Sequence, residues 1–207
     1  SFDVDNLLML SEEEYLALGI ARAYKKTYGE DIIFNRESFG RDETVADVSR
    51  TIGWFTSCYP VAINNNDNIT EELVNVKETM RRIPKNGVEY LLINEKFHKN
   101  TDILFNFYKT STVGEEKDIT FGGTSGFPGT INVNCFAVDD IVTVYISVPK
   151  GKHRPQIGEE LGKEIMAQVE RIIDACTKTD TVTKTSSDFS DDTLTQSELD
   201  ELMDLFN

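Results

Sequence analysis

The stretch "DVSRTIGWFTSCYPV", residues 47–61, places an Arg, a Trp, a Cys and a Pro inside one apolar run. It is bounded by the polar segments "NRESFGRDE" (35–43) and "NNNDN" (64–68). Its β-branched and aromatic content predicts a strand from about Ile52 to Ile63, closed by the Asn-rich turn. Upstream, "DIIF" (31–34) reads as a second short strand running into the polar segment.

Working outward, helical patterns flank these strands. Ser11 and Glu14 form a capping box, and Leu16, Ile20, Ala23 and Tyr24 recur at helical spacing until Gly29, which predicts a helix over 12–28. Thr70, followed by Glu71 and Glu72, predicts a second helix with Leu73, Val76, Met80 and Ile83 on one face and a stop at Pro84. "ILFNFY" (103–108) reads as a strand, and "TINVNCFAV" and "IVTVYISV" flank Asp139 and Asp140 as a hairpin. After Pro155, the stripe Ile157, Leu161, Ile165, Val169, Ile172 and Cys176 predicts a long helix able to cover a sheet. Interleaved helices and strands make the class α/β, with a mixed β-sheet covered by helices.

After Thr177 the sequence turns to Thr, Ser and Asp without periodicity, which predicts a linker. We therefore divide the chain into a domain over 1–178 and an acidic linker with a short amphipathic tail helix over 179–207. In that tail, Thr195 and Glu198 form a capping box ahead of a stripe of Leu199, Leu202, Met203 and Phe206.

The chain has 207 residues and a net charge of −15. Residues 185–207 carry seven carboxylates and no Lys or Arg, which leaves −8 for the rest. This balance argues against nucleic acid or an anionic membrane as a partner. No apolar run is long enough to span a bilayer, and Phe2 to Leu10 lacks a basic leader, so a cytoplasmic protein is expected. Cys58, Cys135 and Cys176 are odd in number and sit in apolar patterns, which fits buried reduced thiols. Two histidines, His98 and His153, without ligand spacing make a zinc site an unsuitable reading. "GGTSGFPG" (122–129) lacks the Gly-Lys-Ser/Thr ending of a phosphate loop and reads as a flexible loop. Glu37 leaves an apolar strand close to Gly40, a setting that suits a general base. Composition alone favours a surface ion pair with Arg36 or Arg41 instead.

The opening stretch resembles a motif of the epimerization domains of nonribosomal peptide synthetases, members of the condensation-domain superfamily. The resemblance continues in order along the chain. "RESFGRDE" is similar to a Glu-Gly-His-Gly-Arg-Glu segment and places Glu37 on its first Glu and Arg41 on its Arg. "RRIPKNGVEYLL" resembles Pro-x-x-Gly-x-Gly-Tyr-Gly through Pro84, Gly87 and Tyr90, and "ILFNFYKT" resembles Phe-Asn-Tyr-Leu-Gly through Phe105 and Asn106. The residues after 185 are similar to the tail that follows such domains. Departures are Phe39 in place of His, Glu89 in place of Gly, Phe107 in place of Tyr and Lys109 in place of Gly. The first and third remove two polar groups from the expected site. The family's His-His-x-x-x-Asp-Gly signature, which lies in the first half of such domains, is absent from the sequence.

The resemblance implies a chloramphenicol acetyltransferase-like subdomain, the C-terminal half of a two-half domain. It implies inversion of the α-carbon of an aminoacyl or peptidyl thioester carried on the phosphopantetheine of a peptidyl carrier protein, with no cofactor bound directly. Glu37 is then the catalytic base. Asn106 holds the thioester or enolate oxygen, or serves its strand. Trp54 lines the channel, and Arg41, Arg50 and Tyr90 support it, Arg50 by pairing with a carboxylate. Without the resemblance, Trp54 reads as core. The expected partners are the N-terminal half, the carrier protein and, through 196–206, a downstream synthetase subunit. Half of an amide-forming condensation domain and a non-catalytic carrier-docking module are the alternative readings.

Overall fold

The computed structural model describes residues 10–41, 47, 48, 50–93, 101–110, 130–138, 141–154, 156–178, 184–189 and 195–205. Helix α1 (Glu12–Tyr28) starts at the expected capping box, in which Ser11 Oγ accepts from the Glu14 N–H and the Glu14 carboxylate accepts from the Ser11 N–H. It ends at Gly29, whose left-handed φ of 82° suits a residue without Cβ. Strands β1 (Ile32–Phe39) and β2 (Thr56–Ile63) follow, then α2 (Ile69–Arg81), a 3-10 turn (Pro84–Gly87) and α3 (Val88–Ile93). Strands β3 (Ile103–Thr110), β4 (Ile131–Val138) and β5 (Ile141–Ser147) precede α4 (Ile157–Thr177) and α5 (Gln196–Leu205).

Five strands form one mixed sheet in the order β2-β1-β3-β4-β5. The outer pairs β1/β2 and β4/β5 are antiparallel, and the inner pairs β1/β3 and β3/β4 are parallel. The β4/β5 hairpin is as expected, although Asp139 and Asp140 lie outside the described residues. Helices α1, α2 and α4 cover one face, where Phe34, Val61, Phe105, Val133 and Cys135 meet Leu16, Ile20, Leu73, Leu161, Ile165 and Ile172. Phe34 and Phe105 pack edge to face at 5.7 Å between centroids. The whole expected stripe of α4 is buried, and all three cysteines are free and buried.

Four sequence expectations need correction. The segment expected to be strand from Ile52 pairs in the ladder only from Thr56, because the chain just ahead is tied down as a loop: Arg41 donates to the carbonyls of Val48 and Thr51. The cap of α2 is Asn68, whose side chain accepts from the Glu71 N–H, so Thr70 lies inside the helix. That helix ends at Arg81, short of Ile83, which still packs on the core. Helix α3 has no clear signal in the sequence.

The fourth correction concerns the segment read as a linker. Residues Ser186–Asp188 form a 3-10 turn docked on α2. Asp188 accepts from Lys77 and from Arg81 (2.8 Å), and also from its own Thr185 N–H (2.8 Å). Arg81 also reaches Glu14 on α1 at 2.6 Å, and Ser187 donates to Glu78. The Asp188 and Lys77 side chains are each 1% exposed. Ser, Thr and Asp here attach through hydrogen bonds and ion pairs to Lys77, Glu78 and Arg81 of α2, an attachment that hydrophobic periodicity does not register. Along α5, Leu199 is buried while Leu202, Met203 and Leu205 are exposed; Phe206 lies outside the described residues.

Candidate active site

The helices cover one face of the sheet, and the opposite face presents side chains in rows set by strand register. Glu37 lies beside Asn106 across β1/β3, Asn106 beside Asn134 across β3/β4, and Asn134 opposite Tyr145 on β5. Two residues further along β3 and β4, Tyr108 lies beside Phe136. In the other direction Leu104 lies beside Asn132, which faces Ser147. These rows line a cavity of about 450 Å³. Trp54, Phe55 and Arg41 form its outer wall.

Glu37 is half-buried, and burial raises its carboxyl above the usual range. Its hydrogen-bond partner is Asn106, whose Nδ2 donates to Glu37 Oε2 at 2.6 Å and to Tyr108 Oη at 2.6 Å. Neither arginine of the surface-pair reading is its partner. Arg36 lies on the covered face and binds Glu13 and Tyr59, while Arg41 binds main-chain carbonyls and stacks over Phe55 at 4.1 Å. Burial and the Glu37 charge push the Cys58 thiol, directly across from Glu37 on β2, up to about 12, so it stays protonated at neutral pH. Burial, with a contribution from Glu37, also raises the Tyr108 phenol. The result is a carboxylate whose protonation is favoured by burial, beside an amide and a phenol in a partly dry cleft, an arrangement that suits general-base chemistry.

The structure thus brings four of the six residues singled out in the sequence to one cavity: Glu37, Asn106, Arg41 and Trp54. Trp54 is 82% exposed, contrary to its reading as core. Arg41 shapes the 48–55 segment, and Gly40 lets that segment close in, because a Cβ there would stand 2.0 Å from the Phe55 carbonyl oxygen. Arg50 is exposed, does not line the cavity and pairs with no carboxylate among the described residues. Tyr90 is half-buried on α3 against the core, away from the cavity. Phe107 faces the helices, so its replacement of Tyr takes no polar group from this cavity, whereas Phe39 stands at the rim.

Sequence reasoning missed Tyr108, Tyr145, Asn132 and Asn134. The signal was present in "INVNCF": Asn disfavours strands, and two of them at alternate positions mark one polar face. The side-chain oxygen Oδ1 of Asn132 is buried and has no hydrogen-bond partner among the described residues. The segment 122–129 and His98 lie outside those residues, among which no group of acidic, His or Cys side chains could hold a metal ion and no helix is long and apolar enough to cross a membrane.

Comparison with known proteins places this geometry in a family. One of the subunits that make up the plipastatin synthase of Bacillus subtilis (strain 168) is 30% identical over 205 residues, covering 86% of this chain and 8% of that protein. Bacitracin synthase 1 of Bacillus licheniformis is 25% identical over 192 residues, covering 83% and 4%. Among solved structures, the epimerization domain from the third module of tyrocidine synthetase B superposes with a TM-score of 0.70 at 22% identity, over 84% of this chain and 44% of that one. The first condensation domain of the CDA synthetase gives 0.60 at 16% identity, over 83% and 41%. The chain therefore spans less than a tenth of these synthetases and under half of these solved domains. The fold is the chloramphenicol acetyltransferase-like α/β arrangement expected from the sequence. The profile of the family described as "Condensation domain" matches residues 17–194, and the chain belongs to that family, with homologues among nonribosomal peptide synthetases.

Proposed function

We propose that this chain is the C-terminal half of an epimerization domain, in which the open sheet face supplies a general base for inverting the α-carbon of an aminoacyl or peptidyl thioester on a carrier protein's phosphopantetheine. One observation carries the reading: a carboxylate raised by burial sits in a cleft and is held by an asparagine amide at 2.6 Å. A Cα proton beside a thioester is a weak acid, so its removal needs a base poised near the working pH and a stabilised enolate. In the proposed step, Glu37 takes the Cα proton. The C–H pair moves into the Cα–C bond, negative charge develops on the thioester oxygen, and reprotonation from the opposite face inverts the centre with no net change in atoms.

The second acid would come from the His-His-x-x-x-Asp-Gly motif of the N-terminal half. Trp54, with the segment Arg41 shapes, would wall the channel. Tyr90 would support it from within the core, and Arg50, exposed at the turn, would meet a carboxylate of the other half or of the carrier. The exposed Leu202 and Met203 beside the carboxylates of α5 fit a groove with a basic rim on a downstream subunit. A cytoplasmic synthetase is the setting in which we place these partners.

An amide-forming role is the second reading, favoured by the likeness to the CDA condensation domain. A product assay on the synthetase domain containing this chain separates the two. With a carrier-bound L-aminoacyl thioester in deuterated water, epimerization gives D-thioester with deuterium at Cα. A new amide with unlabelled Cα would instead establish condensation, and neither product would leave the docking role.

A further inference from the structure

The rows of the open face differ sharply in character over a short distance. Phe39, Tyr108 and Phe136 form an aromatic row: Tyr108 stacks on Phe136 at 5.1 Å with the planes within 2°, and Phe39 meets Tyr108 edge-on at 6.2 Å. Tyr145 closes the row against Phe136 at 5.7 Å. Phe136 is a buried floor, but Phe39 is 68% exposed and Tyr145 44% exposed, so the rings above that floor offer open apolar surface. The neighbouring row holds Glu37 and Asn106, two residues along each strand and therefore ~7 Å away. Asn106 ties the two rows together, since its amide donates to both Glu37 and Tyr108. In the row on the other side, Leu104 lies beside Asn132, whose Oδ1 is buried.

Surface aromatics that serve packing lie against the core; here they border a cavity that contains a carboxylate. A ligand whose reacting atom sits at Glu37 has an apolar wall one row to one side. That distance matches the reach of an aromatic side chain from its Cα. An anionic side chain would be repelled by Glu37, and a small one would leave the ring faces wet.

We propose that Phe39, Tyr108 and Tyr145, on the Phe136 floor, form a side-chain subsite that selects a carrier-bound residue with an aromatic side chain. This rests on the proposal that an aminoacyl or peptidyl thioester occupies the cavity, and it adds the class of residue.

Binding to the chain itself provides the test, independent of turnover. Trp54 is the single tryptophan and lines the same cavity, so its fluorescence reports occupancy. N-acetylcysteamine thioesters of N-acetyl-Phe, N-acetyl-Ala and N-acetyl-Asp would be titrated into the wild type and into Phe39→Ala and Tyr108→Leu. The expected result is a Phe derivative bound at least ~10-fold more tightly than Ala, with Asp weaker still, as a filled apolar pocket discriminates by about that factor. Phe39→Ala and Tyr108→Leu should erase the preference. Equal affinities in the wild type, or a preference that survives both aromatic substitutions, would overturn the subsite. Circular dichroism of each variant identifies any that fail to fold, and Phe39→Ala, at an exposed rim, keeps the test decisive. A Phe preference in this chain, with no α-proton exchange by the complete synthetase domain that contains it, would refute the epimerase reading and leave the subsite standing.

Discussion

The two faces of the sheet are built from the same strands, residue by residue, yet they follow different rules. On the covered face Phe34, Phe105, Val133 and Val61 lie in a dry core under three helices, and the charged residue Arg36 is neutralised by Glu13. On the open face the alternate positions hold Glu37, Asn106, Asn132, Asn134 and exposed rings, none of which a packing argument would select. Asn in a strand, a carboxylate raised by burial and a buried amide oxygen without a partner among the described residues all work against stability. Their concentration on one face is what the proposed site would require.

The largest expected effect contrasts two phenylalanines of one strand. Phe34→Ala should cost about 3–5 kcal/mol by urea denaturation, because the site is fully buried. Phe39→Ala, on the other face, should fall within about 0.5 kcal/mol of wild type. A large loss at Phe39 would show that the open face also supports the fold.

Next comes the turn that fastens 184–189 to α2. Asp188→Ala removes the carboxylate that Lys77 and Arg81 share and should cost about 3 kcal/mol. Burial alone would raise the Asp188 carboxyl, but Lys77, the Thr185 N–H and Arg81 hold it below the usual aspartate range. A depressed folded-state value means stabilisation present above the ordinary carboxylate range and lost as pH falls through the lowered value. Amide exchange at Thr185 and Asp188 should therefore stay slow at pH 5 and quicken only under stronger acid. Early release at mild acidity would contradict the ion-pair account.

A smaller effect of opposite sign is expected at Glu37. Its folded-state value is raised, so protonation favours the fold, and the stabilisation present at low pH is lost as pH rises through that value. Glu37→Gln should then raise Tm at pH 7 by ~2 °C and change it little at pH 4. A lowered Tm at pH 7 would mean that Glu37 serves packing.

Helices α1 and α4 and the β4/β5 hairpin were legible because capping residues, glycine stops and periodic stripes are local signals. Residues 52–55 were not, since Arg41 ties the chain just ahead of them into a loop through a side chain whose reach does not show in sequence. The 186–188 turn was hidden for a similar reason: its attachment is ionic, and its partners lie more than a hundred residues away. At the site, Glu37, Asn106, Arg41 and Trp54 were found through the resemblance. Tyr108, Asn132 and Tyr145 were missed because they join Glu37 only through cross-strand register. Arg50 belongs to the same motif as Trp54 but stands apart from the cavity, and no matched residue of the Tyr90 motif lines it, which shows that a motif marks a segment and not each side chain in it.

The most direct test of the division between the two faces pairs two identical substitutions, Glu37→Gln and Glu14→Gln, in the complete synthetase domain. Glu14 caps α1 and binds Arg81 on the covered side. Exchange of the α-proton of a carrier-bound aminoacyl thioester with deuterated water would be measured beside Tm. Glu37→Gln should cut exchange by at least ~100-fold with the fold intact, and Glu14→Gln should lower Tm while leaving exchange near the wild-type rate. Wild-type exchange in Glu37→Gln would contradict the assignment of catalysis to the open face.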